Sequence, residues 1–419
     1  MRTVTLTEHG ISDPFTLGTA DREALLELPP GRLEVHATPD PGQVRVRATS
    51  WVGAVHLPEV TIRITPRAGM ANLFTMFSAG IPAGTLSQDD VGWAGHRELV
   101  DGVAAFLLAA IEDCTRRGLL HGYVHREEQL QVIRGRLLVN ELAVRPWSAA
   151  NPPCGYDDFT IDVPENRALA DAVTRVLRWP GLPAGLRRDA LRLAARFDGV
   201  TPGAPDDPRS AVTITRLNAH YEAALDIAAQ ATAGMTISHE EGEHRARAFL
   251  IDLEQQFRRW LGAELRARLW PTFEVLEQPR YTLDHDGRLP VRPDLLITRA
   301  DRPVLVVQTR HRLRADAHST LGDLSVGGRY PVLMHAAALR TPAALLIYAN
   351  DDADADEVPA AEVLIRGTGT RLLSVPLSMA GAAQVLEAQL DEMADLVRAL
   401  SGSAQVGNRM PTRGVAATR

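Results

Sequence analysis

The stretch "RPDLLITRADRPVLVVQTR" (residues 292–310) gathers the side chains with the most chemical potential. Asp294 precedes one apolar run, and a polar loop, "TRADRP", leads into a second run that ends with Gln308 and Arg310. Carboxylates at 294 and 308 would hold a hard divalent cation through oxygen ligands. An amine two residues further on would position or activate a metal-bound water for attack on a phosphate ester. Side chains alternate along a strand, so positions 308 and 310 share a face and the spacing suits that chemistry. The residue types do not. Gln308 is neutral and a poorer magnesium ligand, and Arg310 stays protonated and is no general base. Asp294 alone is a weak metal site, so no metal centre is expected.

The elements that must position these residues follow from the hydrophobic spacing. A long helix is expected over about 243–269, with Leu250, Leu253, Phe257, Trp260 and Leu261 as an apolar stripe. It carries Glu254 and Arg258 one turn apart, on the same side. After it come strands through "QTR", a helix around "LMHAAAL", strands at "AALLIYAN", "AEVLIRG" and "RLLSVPL", and a C-terminal helix. That order is an α/β layer pattern. Toward the N-terminus, "RLEVHATPDPGQVRVRAT" alternates at period two around a Pro-Gly turn, a hairpin signal. Val60, Ile62 and Ile64 line one face of a following strand, and "LVDGVAAFLLAAIEDCTRRGLL" is apolar enough to be an internal helix. Residues 121–165 are mixed, and helices are expected over about 166–232.

Composition narrows the class. With 419 residues, 45% hydrophobic and 23% charged, the chain suits a globular protein of two or three domains. All 45 basic residues are arginine, and the net charge of -7 lends no whole-chain support to nucleic-acid binding. Cys114 and Cys154 lie far apart and read as buried small residues. The N-terminal stretch lacks the apolar core of a signal peptide, and no run reaches the roughly 18 apolar residues of a membrane span, so a cytoplasmic protein is expected. His239 and His244 are five apart, which is not the helical metal-ligand spacing of HExxH. There is no GxxxxGK[ST] phosphate loop and no GxSxG elbow.

At this point a family resemblance becomes specific. "IRGRLLVNELAV" (133–144) followed by "YDDFTIDVPENRAL" (156–169) resembles the central signature of the McrC family, the nuclease subunits of McrBC-type modification-dependent restriction systems. "LNAHYEAALDIA" and "AFLIDLEQQFRRWLGAEL" look like the helices leading into that family's nuclease domain, and "VTIRITPRAGMANLFTMFSAG" resembles its N-terminal strand and helix. "RPDLLI…VLVVQTR" looks like its PD-(D/E)xK nuclease hairpin. The chain departs from the pattern where cleavage is done. Arg258 stands at the expected helix Glu, Gln308-Thr309-Arg310 stands for Asp-x-Lys, and Tyr330-Pro331 stands for Tyr-Gln.

The resemblance implies a mixed α/β protein with four parts: a β-rich N-terminal domain with helices for partner docking (1–120), a central signature and helical region (121–235), a PD-(D/E)xK-like α/β domain (236–402) and a disordered tail (403–419). It implies a subunit of an anti-phage restriction complex that binds and stimulates a hexameric McrB-like AAA+ GTPase. Its own nuclease site (Asp294, Gln308, Arg310, with Arg258) would be degenerate, and a separate nuclease would supply any cleavage. Arg63, Arg67, Arg134 and Arg136, in the N-terminal and central segments, are the candidates for ring contact. The bland account of Arg310 is that it pairs with Asp294; the alternative is that Arg310, Arg312 and Arg314 bind DNA phosphates without cutting. Two other readings stay open: a magnesium-dependent endonuclease using Asp294 with Glu254 or Glu274, and a stand-alone nucleic-acid-binding module. Without the endonuclease, no cofactor is expected. The "PENR" run is expected to start a helix, with Arg167 turned back on the acidic stretch before it.

Overall fold

In the computed structural model the described residues are 2–40, 42–66, 70–78, 99–179, 181–203, 212–237, 247–284, 286–311, 326–350, 361–379 and 383–403. Three bodies of structure position the candidate residues: an N-terminal sheet, a helical centre with a small sheet of its own, and a C-terminal α/β domain.

The N-terminal sheet runs in the order Arg2–Thr7, Val60–Thr65, Trp51–His56, Arg247–Asp252, Met235–Ile237. Val60, Ile62 and Ile64 are all buried, as the alternation requires. The expected hairpin is present as Leu33–Ala37 paired with Gln43–Ala48. One expectation fails here. Residues 247–252 do not begin the long helix; they form a strand antiparallel to Trp51–His56. A short apolar run such as Ala248–Ile251, buried on both faces, has no periodicity that separates strand from helix. Gly53 makes the pairing possible. Its φ is 135°, and a Cβ there would lie 2.1 Å from the Phe249 carbonyl oxygen, so only glycine admits the neighbouring strand.

The helix therefore starts at Leu253 and runs to Leu269. Its cap is Asp252, whose side chain accepts from the Glu254 amide at 3.1 Å. Ser50 also donates to Asp252 (2.9 Å), and the Leu253 amide donates to the Ser50 carbonyl (3.1 Å). Strand and helix are thus joined without a linker. Leu253, Phe257, Trp260 and Leu261 are buried as expected.

The C-terminal sheet has the order Glu274–Glu277, Leu295–Arg299, Arg302–Arg310, Ala343–Asn350, Arg371–Ser378, Ala361–Leu364. Arg302–Arg310, Ala343–Asn350 and Arg371–Ser378 are mutually parallel, and the edges are antiparallel. Leu295, Ile297, Leu305 and Val307 pack into the core that holds the Leu253–Leu269 and Ala383–Ser403 helices. Leu296, Val306 and Ala344 face Val332 and Ala336 of the Val326–Leu339 helix. This is a helix–sheet–helix layering, with both faces of the central strands apolar. The helical centre holds Leu99–Cys114, Pro164–Leu177, Ala184–Arg196 and Glu222–Gly234. Cys114 and Cys154 are free and buried.

Among the described residues, no helix is long and apolar enough to cross a membrane. Arg67, Arg312, Arg314, His239, His244 and the tail from 404 lie outside the described residues.

Candidate functional site

The hairpin forms as the spacing predicts. Leu295 pairs with Val307, which sets Asp294 beside Gln308 at the mouth of the two strands. Asp294 is 8% exposed. Its Oδ2 accepts three hydrogen bonds: from the Gln308 side-chain amide, from the Thr309 backbone amide (2.9 Å) and from the Thr309 hydroxyl (3.1 Å). Its Oδ1 faces Arg258 Nη1 at 3.7 Å. Arg310 reaches Asp294 only at 4.0 Å, and Glu254 at the same distance. Arg258 also faces Glu277 at 3.6 Å.

The result is two guanidinium groups among three carboxylates. Cationic charge sits where a metal ion would otherwise have to supply it. A carboxylate oxygen offers about two lone-pair directions, and on Asp294 three donors crowd Oδ2, while Oδ1 is left to Arg258. A second carboxylate at 308 would have needed a cation between it and Asp294. Gln308 instead turns its NH₂ into the aspartate. Among the described residues, no group of three His, Cys, Asp or Glu side chains is arranged to hold a metal ion. The residues present do not fit magnesium.

Neighbouring titratable groups follow the same logic. Burial pushes the Glu254 carboxyl above its ordinary range, against the pull of Arg310. Burial pushes the His335 imidazole down, with Asp294 acting in the opposite sense. Glu274, the other carboxylate considered, pairs with Thr298 on the edge strand. Glu277, one alternation beyond Val275, is the residue of that strand that meets Arg258. Thr309, Glu277 and His335 were not singled out from the sequence. Only Glu277 carried a usable signal, since it shares the strand face of Val275, which is buried against the long helix.

His311 departs from what its sequence neighbours suggest. Its cluster with Arg312, Arg314 and His318 reads as a solvated basic loop. In the structure His311 is 1% exposed, 3.8 Å from Glu8 of the N-terminal domain and edge-on to Phe257. Burial lowers its pKa to about 4, so it is neutral at ordinary pH and contributes no phosphate-binding charge.

The central signature forms a second polar centre. Gly122–Gln129, Pro153–Thr160 and Arg136–Leu137 make a three-stranded antiparallel sheet. Gly135 precedes its shortest strand with φ 69°, and a Cβ there would lie 2.5 Å from the Gly155 carbonyl oxygen. The glycine of "IRGR" is therefore a backbone requirement. The "ENR" residues each tie down a different segment. Glu165 accepts from Asn218 (2.8 Å), and Asn166 donates to the Leu120 and Ile161 carbonyls (2.8 and 2.7 Å). Arg167 forms a two-pronged pair with Asp162, both bonds 2.7 Å. Arg167 does turn back on the acidic stretch. Its guanidinium, with the Thr201 amide and hydroxyl, holds the Asp162 carboxyl down at about 2.

The candidate ring-contact residues are dispersed. Arg63 is on the exposed face of Val60–Thr65. Arg134 stacks over the Tyr156 ring (4.2 Å) and donates to Asp158 (2.9 Å), so it is engaged within the chain. Arg136 is exposed on the small sheet.

The described fold is therefore a β-rich N-terminal part, a helical hub with its own small sheet and a C-terminal α/β part with a salt-bridged polar centre. The chain matches the family described as McrBC 5-methylcytosine restriction system component over residues 46–349, well over half its length, and belongs to that family. Among solved structures it is similar to a half-complex of the tetradecameric assembly of Thermococcus gammatolerans McrB AAA+ hexamers with bound McrC. That match covers 94% of this chain and 100% of the other, with TM-score 0.55 and 16% identity. It is also similar to a chain of the Thermococcus gammatolerans McrBC complex, over 64% of this chain and 88% of that one, with TM-score 0.42 and 18% identity. No curated protein matches the sequence.

Proposed function

We propose that this chain is the McrC-like subunit of a restriction complex. It docks on an McrB-like AAA+ GTPase ring and stimulates its turnover, while its own nuclease-fold domain does not cut. The observation that carries the reading is a separation of properties. One oxygen of the candidate catalytic aspartate holds three internal donors and the other faces Arg258, whereas the central segment offers a high density of exposed apolar side chains. Tyr123, Val132, Ile133, Val139, Val144, Trp147 and Phe159 all lie between 122 and 160, and Trp147 is 79% exposed. A small sheet and the short helix and turns between its strands have little reason to expose seven such residues unless a protein surface covers them. The McrC fold of the similar chain, itself bound to AAA+ hexamers, argues that the covering surface is the ring.

The endonuclease alternative requires a cation to take Oδ1 of Asp294 from Arg258 and to sit between Arg258 and Arg310. Nothing in the geometry favours that. The deciding measurement is GTP and ATP turnover by the McrB-type AAA+ protein of the same genome, with and without this chain. Stimulation of at least severalfold, lost in a Trp147→Ser/Ile133→Ser double variant, is expected. No stimulation and no co-elution would remove the docking reading. Magnesium-dependent cleavage that disappears in Asp294→Ala would replace it with the endonuclease. DNA affinity that falls steeply with salt, without any ring, would instead favour a binding module.

A further inference from the structure

Tyr123 and Phe159 share one face of the small sheet with His125 and Asp157. Arg126, Glu128 and Asp158 share the other, and from them a run of charges leads into the helical body. Arg134 donates to Asp158 Oδ1 (2.9 Å), and Asp158 Oδ2 faces Arg126 Nε at 3.3 Å. Arg126 also faces Glu128 at 3.6 Å and Asp162 Oδ2 at 3.9 Å. Asp162 is held in turn by Arg167 of the Pro164–Leu177 helix and by Thr201. Tyr156, under Arg134, donates to Glu128 at 2.8 Å. The charges alternate in sign along the whole path: Arg134, Asp158, Arg126, Asp162, Arg167.

We infer that Arg126 is a positioning residue that fixes the angle of the small sheet on the helical body, by joining the sheet carboxylates Glu128 and Asp158 to the body carboxylate Asp162. The inference rests on the docking reading for its functional consequence, and on geometry alone for its structural one. Two features single out Arg126. Its side chain is partly buried, so its contacts are less screened than those of a surface pair. It also meets carboxylates from both sides of the junction, Glu128 and Asp158 on the strands and Asp162 between the last strand and the helix. A guanidinium spans such a gap because its donors fan out in a plane. An ammonium reaches at most part of it. If the sheet is where a ring grips this chain, an adaptor must resist being bent at its root in order to transmit anything.

The test separates capture from stimulation. Arg126→Met keeps the length and packing of the stem and removes the charge. Ring affinity is expected to stay within about threefold of wild type, because Arg126 lies on the sheet face opposite the exposed Tyr123 and Phe159. Maximal stimulated turnover is expected to fall about tenfold, with partial recovery in Arg126→Lys. Equal loss of affinity and turnover, or wild-type stimulation by Arg126→Met, would overturn the inference. If the unaltered chain neither binds nor stimulates the ring, the docking reading is what fails. The positioning role is then read by amide exchange on the isolated chain. Arg126→Met should speed exchange about tenfold or more in Gly122–Gln129 and Pro153–Thr160, leaving Pro164–Leu177 unchanged. Unchanged exchange in those strands would overturn it.

Discussion

Two arginine–aspartate centres in this molecule look alike in composition and differ in construction. At the root of the small sheet, Arg167 grips Asp162 with two bonds of 2.7 Å. In the C-terminal α/β part, Asp294 takes its close bonds from neutral groups, and its two arginines stand off at 3.7 and 4.0 Å. The first pair is a fastener whose directional bonds fix two segments. The second is a balance of field in which the arginines supply charge and Gln308 and Thr309 supply the bonds. The same residue types therefore predict different sensitivities to substitution.

The largest effect is expected at the fastener. Asp162→Asn leaves the guanidinium fork facing an amide that can satisfy only part of it. Loss of charge-assisted bonds in this partly buried site should cost about 3 kcal/mol in urea unfolding. Gln308→Glu comes next. It removes a donor from Asp294 and sets two carboxylates face to face, which should cost about 2 kcal/mol in EDTA. Part of that loss should return on adding magnesium, whereas the melting temperature of the unaltered chain should not respond to it. A magnesium-dependent rise in the unaltered chain would break the contrast. Asp294→Asn should cost about 1 kcal/mol, since an amide oxygen can still accept from Thr309 and Gln308. Arg310→Met should cost less than about 1 kcal/mol, because its contacts are long and partly exposed.

Acid separates the two centres by sign. Asp162 has a depressed pKa, so its contribution is complete above the ordinary carboxylate value and is lost as pH falls toward about 2. Glu254 has a raised pKa, so its contribution is complete below its ordinary value of 4.5 and is lost as pH rises above it. Unfolding free energy measured against pH should lose its low-pH slope in Asp162→Asn and its slope above pH 4.5 in Glu254→Gln. The reverse assignment would show that the two centres have been misread.

How much of this was legible before the structure depended on whether a short pattern had one physical meaning. The Asp294–Gln308 hairpin was legible because alternation and a short polar loop leave one arrangement, and the lost ligands could be read residue by residue. Arg167 turned back on Asp162 was legible because the proline start of the helix fixes the direction of its first turn. The strand Arg247–Asp252 was not, because a run of four apolar residues suits a helix and a buried strand equally. Arg126 was not, because its three carboxylates come from two strands and a loop that only the fold brings together. His311 read as solvated because its sequence neighbours are charged; the Glu8 and Phe257 that enclose it are distant in the chain.

The junction at Asp252 and Leu253 has a consequence for how the chain comes apart. The final residue of one domain's strand is the cap of the other domain's helix, and Ser50 clasps both. No exposed peptide lies between them for a protease to enter, so digestion under native conditions should not release a C-terminal α/β fragment by cutting there. Heat or denaturant should likewise melt that helix and the N-terminal sheet in one transition, since neither end of the joint can open while the other stays closed.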